Sequence, residues 1–488
     1  MAEKKEKIIC DPRELAIQFL GDYIWTKDEN EPKAETSFYT LRRWKEDCFI
    51  WQDGKYNRRA DDTLRVNVTA YLQKWAEHIL YTEKRRLKVS RALVNDVIAN
   101  IQPLIHIGES IQLNSFLDGI DRGRFLSLKN GLLNLETREL INHTPNYFTT
   151  VCLPYDYDPD AACPEFELFL TDIMLGRQDY IELLQEFIGY LFRPDLREQK
   201  FLLCVGAGAN GKGVLFEVIQ SLVGIENCSQ VPISRFADRF SLNSTIGRIA
   251  NLTHESSHIL ENEAENILKS YVAGDSLTID RKHRDPIDIQ PTAKLLIATN
   301  SLPRFGDKTQ AIWRRILLVP FDLVLEEQYQ IKNKAEYLKK ELPGILNWAL
   351  AGLGRLNANG FTIPQGQKEL MEEYRRDADP ARAFLMDNYS ESLNGEYVPC
   401  GELYKAYKEF CTDNGCHPMN ERTFGQHVKR IFPKVKRRRM GTAKREYVYW
   451  GLTSYENRDY LGRETENEET ENSYCGQENE TQSFLDEK

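Results

Sequence analysis

At 488 residues the chain has room for about three domains of roughly 150 residues and for a sizeable core. No apolar run approaches the roughly 18–20 residues of a membrane span, the opening MAEKKEKIICDPRE is too charged for a secretory signal, and the ten cysteines include no C-x-x-C pair; these features argue against a membrane span, a disulfide framework and a zinc ribbon, and a cytoplasmic location is expected. The net charge of −10 does not argue against a polyanionic partner, because Gly451 to Lys488 holds eleven acidic residues against three basic ones and the remainder is near neutral.

Residues 1–115 read as a mainly helical region. Apolar residues recur at helical spacing over Pro12–Leu20 and Val68–Leu80, and Ser90 is placed to cap a helix over Arg91–Ile101. Between them, Cys48-Phe-Ile-Trp51-Gln-Asp53-Gly54-Lys55-Tyr56 predicts a hairpin turning at Asp-Gly. Cations cluster at Arg42, Arg43, Arg58 and Arg59, and again at Lys84, Arg85, Arg86 and Lys88. Such clusters are ordinarily solvated faces, with DNA phosphate the alternative.

Residues 116–198 carry an Asn130-Gly-Leu-Leu-Asn-Leu135 segment, a His143-Thr144-Pro145 turn, a Tyr157-Asp-Pro-x-Ala-x-Cys-Pro164 segment and a helical block over Leu168–Leu191. Together with the linker Gln199-Lys200-Phe201, these resemble the region preceding the motor in superfamily 3 helicases of the phage and plasmid primase-helicase family and in the related poxvirus protein. The resemblance runs from about 120 to 325. Asp156-Tyr157-Asp158 has the Asp-x-Asp form of a polymerase metal pair, but it lies in a Pro-bounded linker shared by that family, and the preceding stretch is too short for a polymerase domain. No primer synthesis is expected.

The core is assigned to 199–345. An apolar run, Phe201–Val205, breaks into Gly206-Ala207-Gly208-Ala209-Asn210-Gly211-Lys212 and resumes as an apolar-periodic helix, the strand, loop and helix order of a phosphate-binding loop. Glycines let backbone N–H groups approach an anion, the helix aims its positive end at it, and Lys212 reaches the β and γ phosphates of ATP. Gly213 occupies the place usually held by a Ser or Thr that binds Mg2+, and His254 stands where many such ATPases have Asp. The metal ligands therefore stay unidentified.

The same resemblance implies roles further on. Gly247–Ser256 is an apolar strand ending in an acid, and Glu255 would polarise the attacking water. Leu277–Ile289 alternates on both sides of a basic quartet, Arg281, Lys282, His283 and Arg284, which reads as a hairpin with a cationic tip; in the family such a hairpin grips DNA backbone in a ring's channel. Ala293–Pro303 is a strand whose Asn300 would sense the γ-phosphate. Arg314 and Arg315 precede another apolar strand, and one of them, with family position leaning to Arg315, would be the finger reaching a neighbouring subunit.

Residues 346–385 read as a helical linker. Over 386–452, helices at 401–413 and 420–431 are followed by Lys434-Val-Lys436-Arg437-Arg438-Arg439 and Tyr447–Trp450. This fits a winged helix whose Lys429, Arg430, Lys436, Arg437, Arg438 and Arg439 face DNA. Residues 453–488 read as an acidic disordered tail.

The fold expected is thus α/β, an AAA+-like P-loop core between a helical N-terminal region and a C-terminal winged helix. The resemblance implies an ATP- and Mg2+-dependent 3′ to 5′ helicase forming a homo-oligomeric, hexameric ring on single- and double-stranded DNA. It would replicate a phage, plasmid or integrated element in a bacterial or virus-infected cell, beside a separate primase or polymerase. An ATP-switched initiator that binds and melts an origin is the alternative.

Overall fold

The computed structural model describes residues 11–25, 38–60, 62–255, 259–282, 284–300, 303–305, 310–324, 332–392, 394–440 and 446–455; at 255, 259, 304, 310 and 375–378 it describes the backbone alone. Two compact units divide at 365/366.

The first unit opens with α1 (Pro12–Gly21), strands β1 (Leu41–Trp44), β2 (Asp47–Gln52) and β3 (Lys55–Arg58), then α2 (Thr63–Glu83) and α3 (Arg91–Ile105). Asp11 caps α1 by accepting from the Arg13 N–H at 2.9 Å, and Ser90 caps α3 by accepting from the Leu93 N–H at 3.2 Å, each satisfying an otherwise orphaned donor. Leu15, Phe19, Leu41, Val68, Leu72, Val94, Val97 and Ile101 form one core.

The β2–β3 turn has φ of 53° at Asp53 and 76° at Gly54, the left-handed pair that a two-residue hairpin favours. It docks onto the next segment. The Gly54 carbonyl accepts from the Ser127 hydroxyl at 2.8 Å, and the Tyr56 hydroxyl donates to the Pro145 carbonyl at 2.5 Å.

That next segment, 116–198, expected as a helical region preceding the motor core, is helical only in its second part. Its alternating first part forms a three-stranded antiparallel sheet, β4 (Phe125–Leu128), β5 (Gly131–Asn134) and β6 (Leu140–Ile141), before α4 (Pro164–Ile173) and α5 (Gln178–Leu191).

The centre is a parallel sheet. Its strands are β7 (Phe201–Val205), β8 (Cys228–Ser229), β9 (Ala250–Glu255) and, after the hairpin β10 (Leu277–Arg281) and β11 (Arg284–Ile289), β12 (Lys294–Thr299) and β13 (Ile316–Pro320). They lie in the order β8-β9-β12-β7-β13. Every residue of β12 is buried, which explains the apolar run Leu295–Ala298 between Lys294 and Thr299. Helices α6 (Lys212–Val223) and α7 (Asn262–Ala273) follow β7 and β9.

Helix α8 (Leu342–Asn359) corrects the linker assigned to 346–385. Ile345, Leu346, Ala349, Leu350, Leu353 and Leu356 belong to the main core, because this face packs on α5. Contact is backbone to backbone: a Cβ at Gly189 would meet the Ala349 carbonyl at 2.2 Å, and one at Gly352 the Gln185 carbonyl at 2.4 Å.

The second unit holds α9 (Gln367–Ala378), α10 (Pro380–Asn388), β14 (Tyr397–Pro399), α11 (Cys400–Asp413), α12 (Glu421–Ile431), β15 (Lys436–Met440) and β16 (Glu446–Trp450), with a sheet in the order β14-β16-β15. Its core takes Ala381, Phe384 and Leu385 from α10, so this body begins before residue 386. The expected loop tip 441–445 and tail beyond 455 lie outside the described residues.

Candidate functional site

Strand β7 lies between β12 and β13, both later in the chain, and a crevice at the carboxyl ends of such strands is where α/β sheets bind ligands. The Gly206–Gly211 loop occupies this position. Gly208, Ala209 and Gly211 have φ of 113°, 49° and 83°, and a Cβ at Gly211 would lie 2.5 Å from the Ile173 side chain. The loop therefore curls beneath α4, and the N-cap Gly211 offers no side chain to α6; the Lys212 N–H donates to Asn210 Oδ1 at 3.5 Å, and the helix start faces an anion with its remaining first-turn donors.

Lys212 is only 6% exposed. Its ammonium donates to the Gly206 carbonyl at 2.6 Å and to Asn210 Oδ1 at 3.1 Å, while Asn210 Nδ2 donates to the Phe321 carbonyl at 3.2 Å. Burial lowers the Lys212 pKa, so the group gains from an anion.

The cleft over this loop has a volume of about 500 Å³ and brings together Phe169, Asp172, Ile173, Lys212, Gly213, Val214, His254, Asn300, Leu323 and Lys334. Phe169, Ile173, Val214 and Leu323 give it an apolar wall. Phe169, Asp172, Ile173, Leu323 and Lys334 carried no signal in the sequence, because α4 and the segments after β13 reach the loop only through the fold.

Glu255 pairs with Thr299, and Thr299 with Val205. The acid's backbone is thus two strand spacings from the loop strand, about 10 Å, at the same sheet end as Asn300. The Glu255 side chain lies outside the described residues. The His254 ring is exposed and sits 5.5 Å from the Phe216 ring.

The arginine pair lies at the other end. The Arg315 carbonyl accepts from the Phe201 N–H at 2.8 Å, one five-residue strand from the loop, or about 17 Å. Arg314 is exposed. Arg315 is 8% exposed, and its Nη1 donates to the Ala311 carbonyl at 2.5 Å.

The β10–β11 hairpin forms as expected, but its quartet is not a uniform exposed tip. Arg281 is buried and Arg284 half-buried, and both ion-pair with Asp47 of β2. Lys282 is exposed; His283 lies outside the described residues. The reason is tertiary: an acid far back in the chain folds onto the hairpin.

In the second unit Asn420 caps α12 by accepting from the Thr423 N–H at 2.9 Å. Lys429 and residues 436–439 are exposed. Arg430 approaches Asp379 at 3.9 Å, and the same carboxylate lies 3.3 Å from His427 Nδ1. Among the described residues no group of three His, Cys, Asp or Glu could hold a metal ion, and no helix is long and apolar enough to cross a membrane.

Comparison with known proteins matches three stretches. Residues 23–175 match the family described as "D5 N terminal like", 204–315 a family of unknown function, DUF5906, and 379–456 the "RFX DNA-binding domain". Two proteins named "Putative helicase" are similar: one from Acanthamoeba polyphaga mimivirus is 22% identical over 334 residues (62% of this chain, 34% of that protein), and one from Invertebrate iridescent virus 3 is 23% identical over 336 residues (60% and 36%). The chain spans about a third of the length of these relatives. Transcription factor RFX4 of Mus musculus is 35% identical over 78 residues (16% and 10%). The apo C-terminal region of NrS-1 shares the fold at a TM-score of 0.50 and 14% identity, covering 90% of this chain and 98% of that one.

These matches support a relationship to D5-like primase-helicases, and the protein has a mixed α/β fold with a parallel sheet.

Proposed function

We propose that the chain is an ATP-driven DNA helicase of superfamily 3, with an AAA+-like P-loop core and a C-terminal winged helix, that assembles as a hexameric ring and moves 3′ to 5′ in replication of a phage, plasmid or integrated element. One observation carries this reading: the glycine loop, the Glu255 backbone and Asn300 share one end of a parallel sheet, while Arg314 and Arg315 lie a strand's length away. An arginine there is too far from its own loop and serves the nucleotide of an adjacent subunit. Its exposure favours Arg314 as the finger, rather than the buried Arg315 that family position suggested.

The buried Lys212 and the start of α6 suit the triphosphate, the apolar wall around Phe169 suits the base, and Glu255 and Asn300 orient the water. Mg2+, when bound, supplies charge neutralisation at the β and γ phosphates. Gly213 offers it no hydroxyl; a Cβ there would meet nothing within 4 Å, so the space is open to a water ligand beside Asp172, His254 and Asn300.

The test is ATP turnover with and without single-stranded DNA, together with unwinding of duplexes tailed at either end. Stimulated turnover and displacement from a 3′ tail are expected; turnover without displacement would favour the second reading. That reading, an ATP-switched initiator that melts an origin, draws on the separate C-terminal unit matched by the RFX DNA-binding domain.

A further inference from the structure

The turn joining β1 and β2 is made by Lys45 and Glu46, with φ of 45° and 69°. Two non-glycine residues in the left-handed region persist only where the surroundings hold them, and here the surroundings are the β10–β11 hairpin. The Lys45 carbonyl accepts from Arg281 Nη1 at 3.2 Å, the Lys45 ammonium donates to the Asp288 carbonyl, and Glu46 lies 3.9 Å from Arg281 Nη2.

Beside this turn, the largely buried Asp47 meets three guanidinium groups: Arg58 at 3.0 Å, Arg281 at 3.4 Å, and Arg284. Asp47 is thus shared among these arginines, with Glu46 a second carboxylate at Arg281. Basic side chains line a shallow groove of about 600 Å³ formed by Arg58, Arg59, Asn243, Arg281, Lys282 and Arg284, with Asp62 the one acidic lining residue among the described residues. Two buried polar atoms facing this region, Arg59 Nε and Asn243 Oδ1, have no hydrogen-bond partner. The N-terminal sheet and the motor hairpin thus build one cationic surface from segments more than two hundred residues apart.

The geometry points to this groove as a composite site for the phosphodiester backbone of a single DNA strand, with Arg58 and Arg59 of the N-terminal sheet holding the same strand as Lys282 of the hairpin. This rests on the reading of the hairpin as a DNA-gripping element and adds a second, static wall to it. Among the described residues no aromatic ring lines the groove, so recognition is through phosphate, independent of base sequence. Asp47 docks the hairpin on the sheet through Arg281 and Arg284; a phosphate entering the groove gives Arg58, Arg59 and Lys282 an anion to pair with.

The experiment titrates a fluorescent oligo-dT into full-length chain carrying Arg437→Ala, Arg438→Ala and Arg439→Ala, which removes the C-terminal contribution, across a salt series. Arg58→Gln with Arg59→Gln is expected to weaken binding and to flatten the slope of log affinity against log salt by about 1.4, two phosphate contacts at roughly 0.7 each. Arg59→Lys, which keeps the charge, is expected to hold the parental slope, and this guards against a folding defect, which is also checked by thermal melting. An unchanged slope in the Gln variant, with Lys282→Ala still weakening binding, overturns the composite groove and leaves the hairpin reading standing. No change in either variant overturns both. Equal losses on oligo-dT and on blunt duplex overturn the assignment to a single strand.

Discussion

The Lys212 ammonium is held 2.6 Å from the carbonyl oxygen of Gly206, so the cation of the loop is satisfied by the loop's own backbone. Under the proposed function a triphosphate would draw Lys212 out of this contact, and the lowered pKa caused by its burial would make that exchange favourable. Lys212→Ala is therefore expected to reduce ATP turnover by at least about a hundredfold. Duplex binding through residues 379–456 should stay within about twofold, because it resides in the other compact unit. Parallel loss of both in a folded variant would argue against assigning them to different compact units.

The two arginines before β13 are expected to fail differently. Arg314→Ala should lose turnover with unchanged melting temperature, since Arg314 is exposed. Arg315→Ala should in addition lose about 1–2 kcal/mol of stability, because its side chain is buried and bonded to the Ala311 carbonyl. Mixing Arg314→Ala with Lys212→Ala subunits should restore part of the ATPase if the site is shared. Confirmed subunit exchange with no recovery would remove the basis for a trans-acting finger.

The cationic run 436–439 divides between two faces of β15. Arg437 and Arg439 pair with Tyr449 and Tyr447, whereas Lys436 and Arg438 pair with Trp450 and Val448. Arg437 lies over the Tyr447 ring at 4.3 Å and Arg438 over Trp450 at 4.9 Å. A Cβ at Gly425 of α12 would stand 2.8 Å from the Tyr449 hydroxyl, so the tyrosine face is the one continuous with α12. Replacing Arg437 and Arg439 together by Ala should flatten the salt slope of duplex binding by about 1.8, while Arg438→Ala should leave it nearly unchanged. The reverse ranking would place DNA on the Trp450 face.

Glu186 is fully buried and joins α5 to the end of the first unit, accepting from Arg355 Nε at 2.6 Å, the Thr362 N–H at 2.7 Å and the Thr362 hydroxyl at 2.8 Å. Glu186→Ala leaves these donors without their acceptor. The Arg355 side chain is 31% exposed and recovers part of the loss from water, so about 2–3 kcal/mol of destabilisation is expected by urea unfolding. A change below about 0.5 kcal/mol would show that the network is not structural.

Lys294, at the start of β12, is enclosed with its ammonium on the Arg193 carbonyl and 5.1 Å from the centre of the Tyr190 ring, and burial lowers its pKa to about 7. Below about pH 7 the lysine is charged in both states and the cost of burying that charge is constant. From there toward its ordinary value near 10.5, the unfolded chain binds a proton that the folded chain has released, so this residue's contribution to stability rises with pH. The melting temperature of the wild type should therefore gain on that of Lys294→Met between pH 7 and 9.5. A constant gap would mean that Lys294 stays protonated in the fold.

Local chemistry alone determined much of this protein. Ser90 caps α3, Asp53-Gly54 turns the hairpin, and the apolar run, glycines and Lys212 lay out strand, loop and helix, because caps, left-handed turns and periodicity act between residues a few positions apart. Tertiary structure alone decided which distant residues share a surface. Phe169 and Asp172 line the loop's cleft, α8 belongs to the core rather than to a linker, and Asp47 reaches across the chain to take Arg281 and Arg284 out of the expected cationic tip. Burial and ion pairing depend on which elements the sheet order brings together, and that order arises from packing the whole chain, which a short window of residues does not contain.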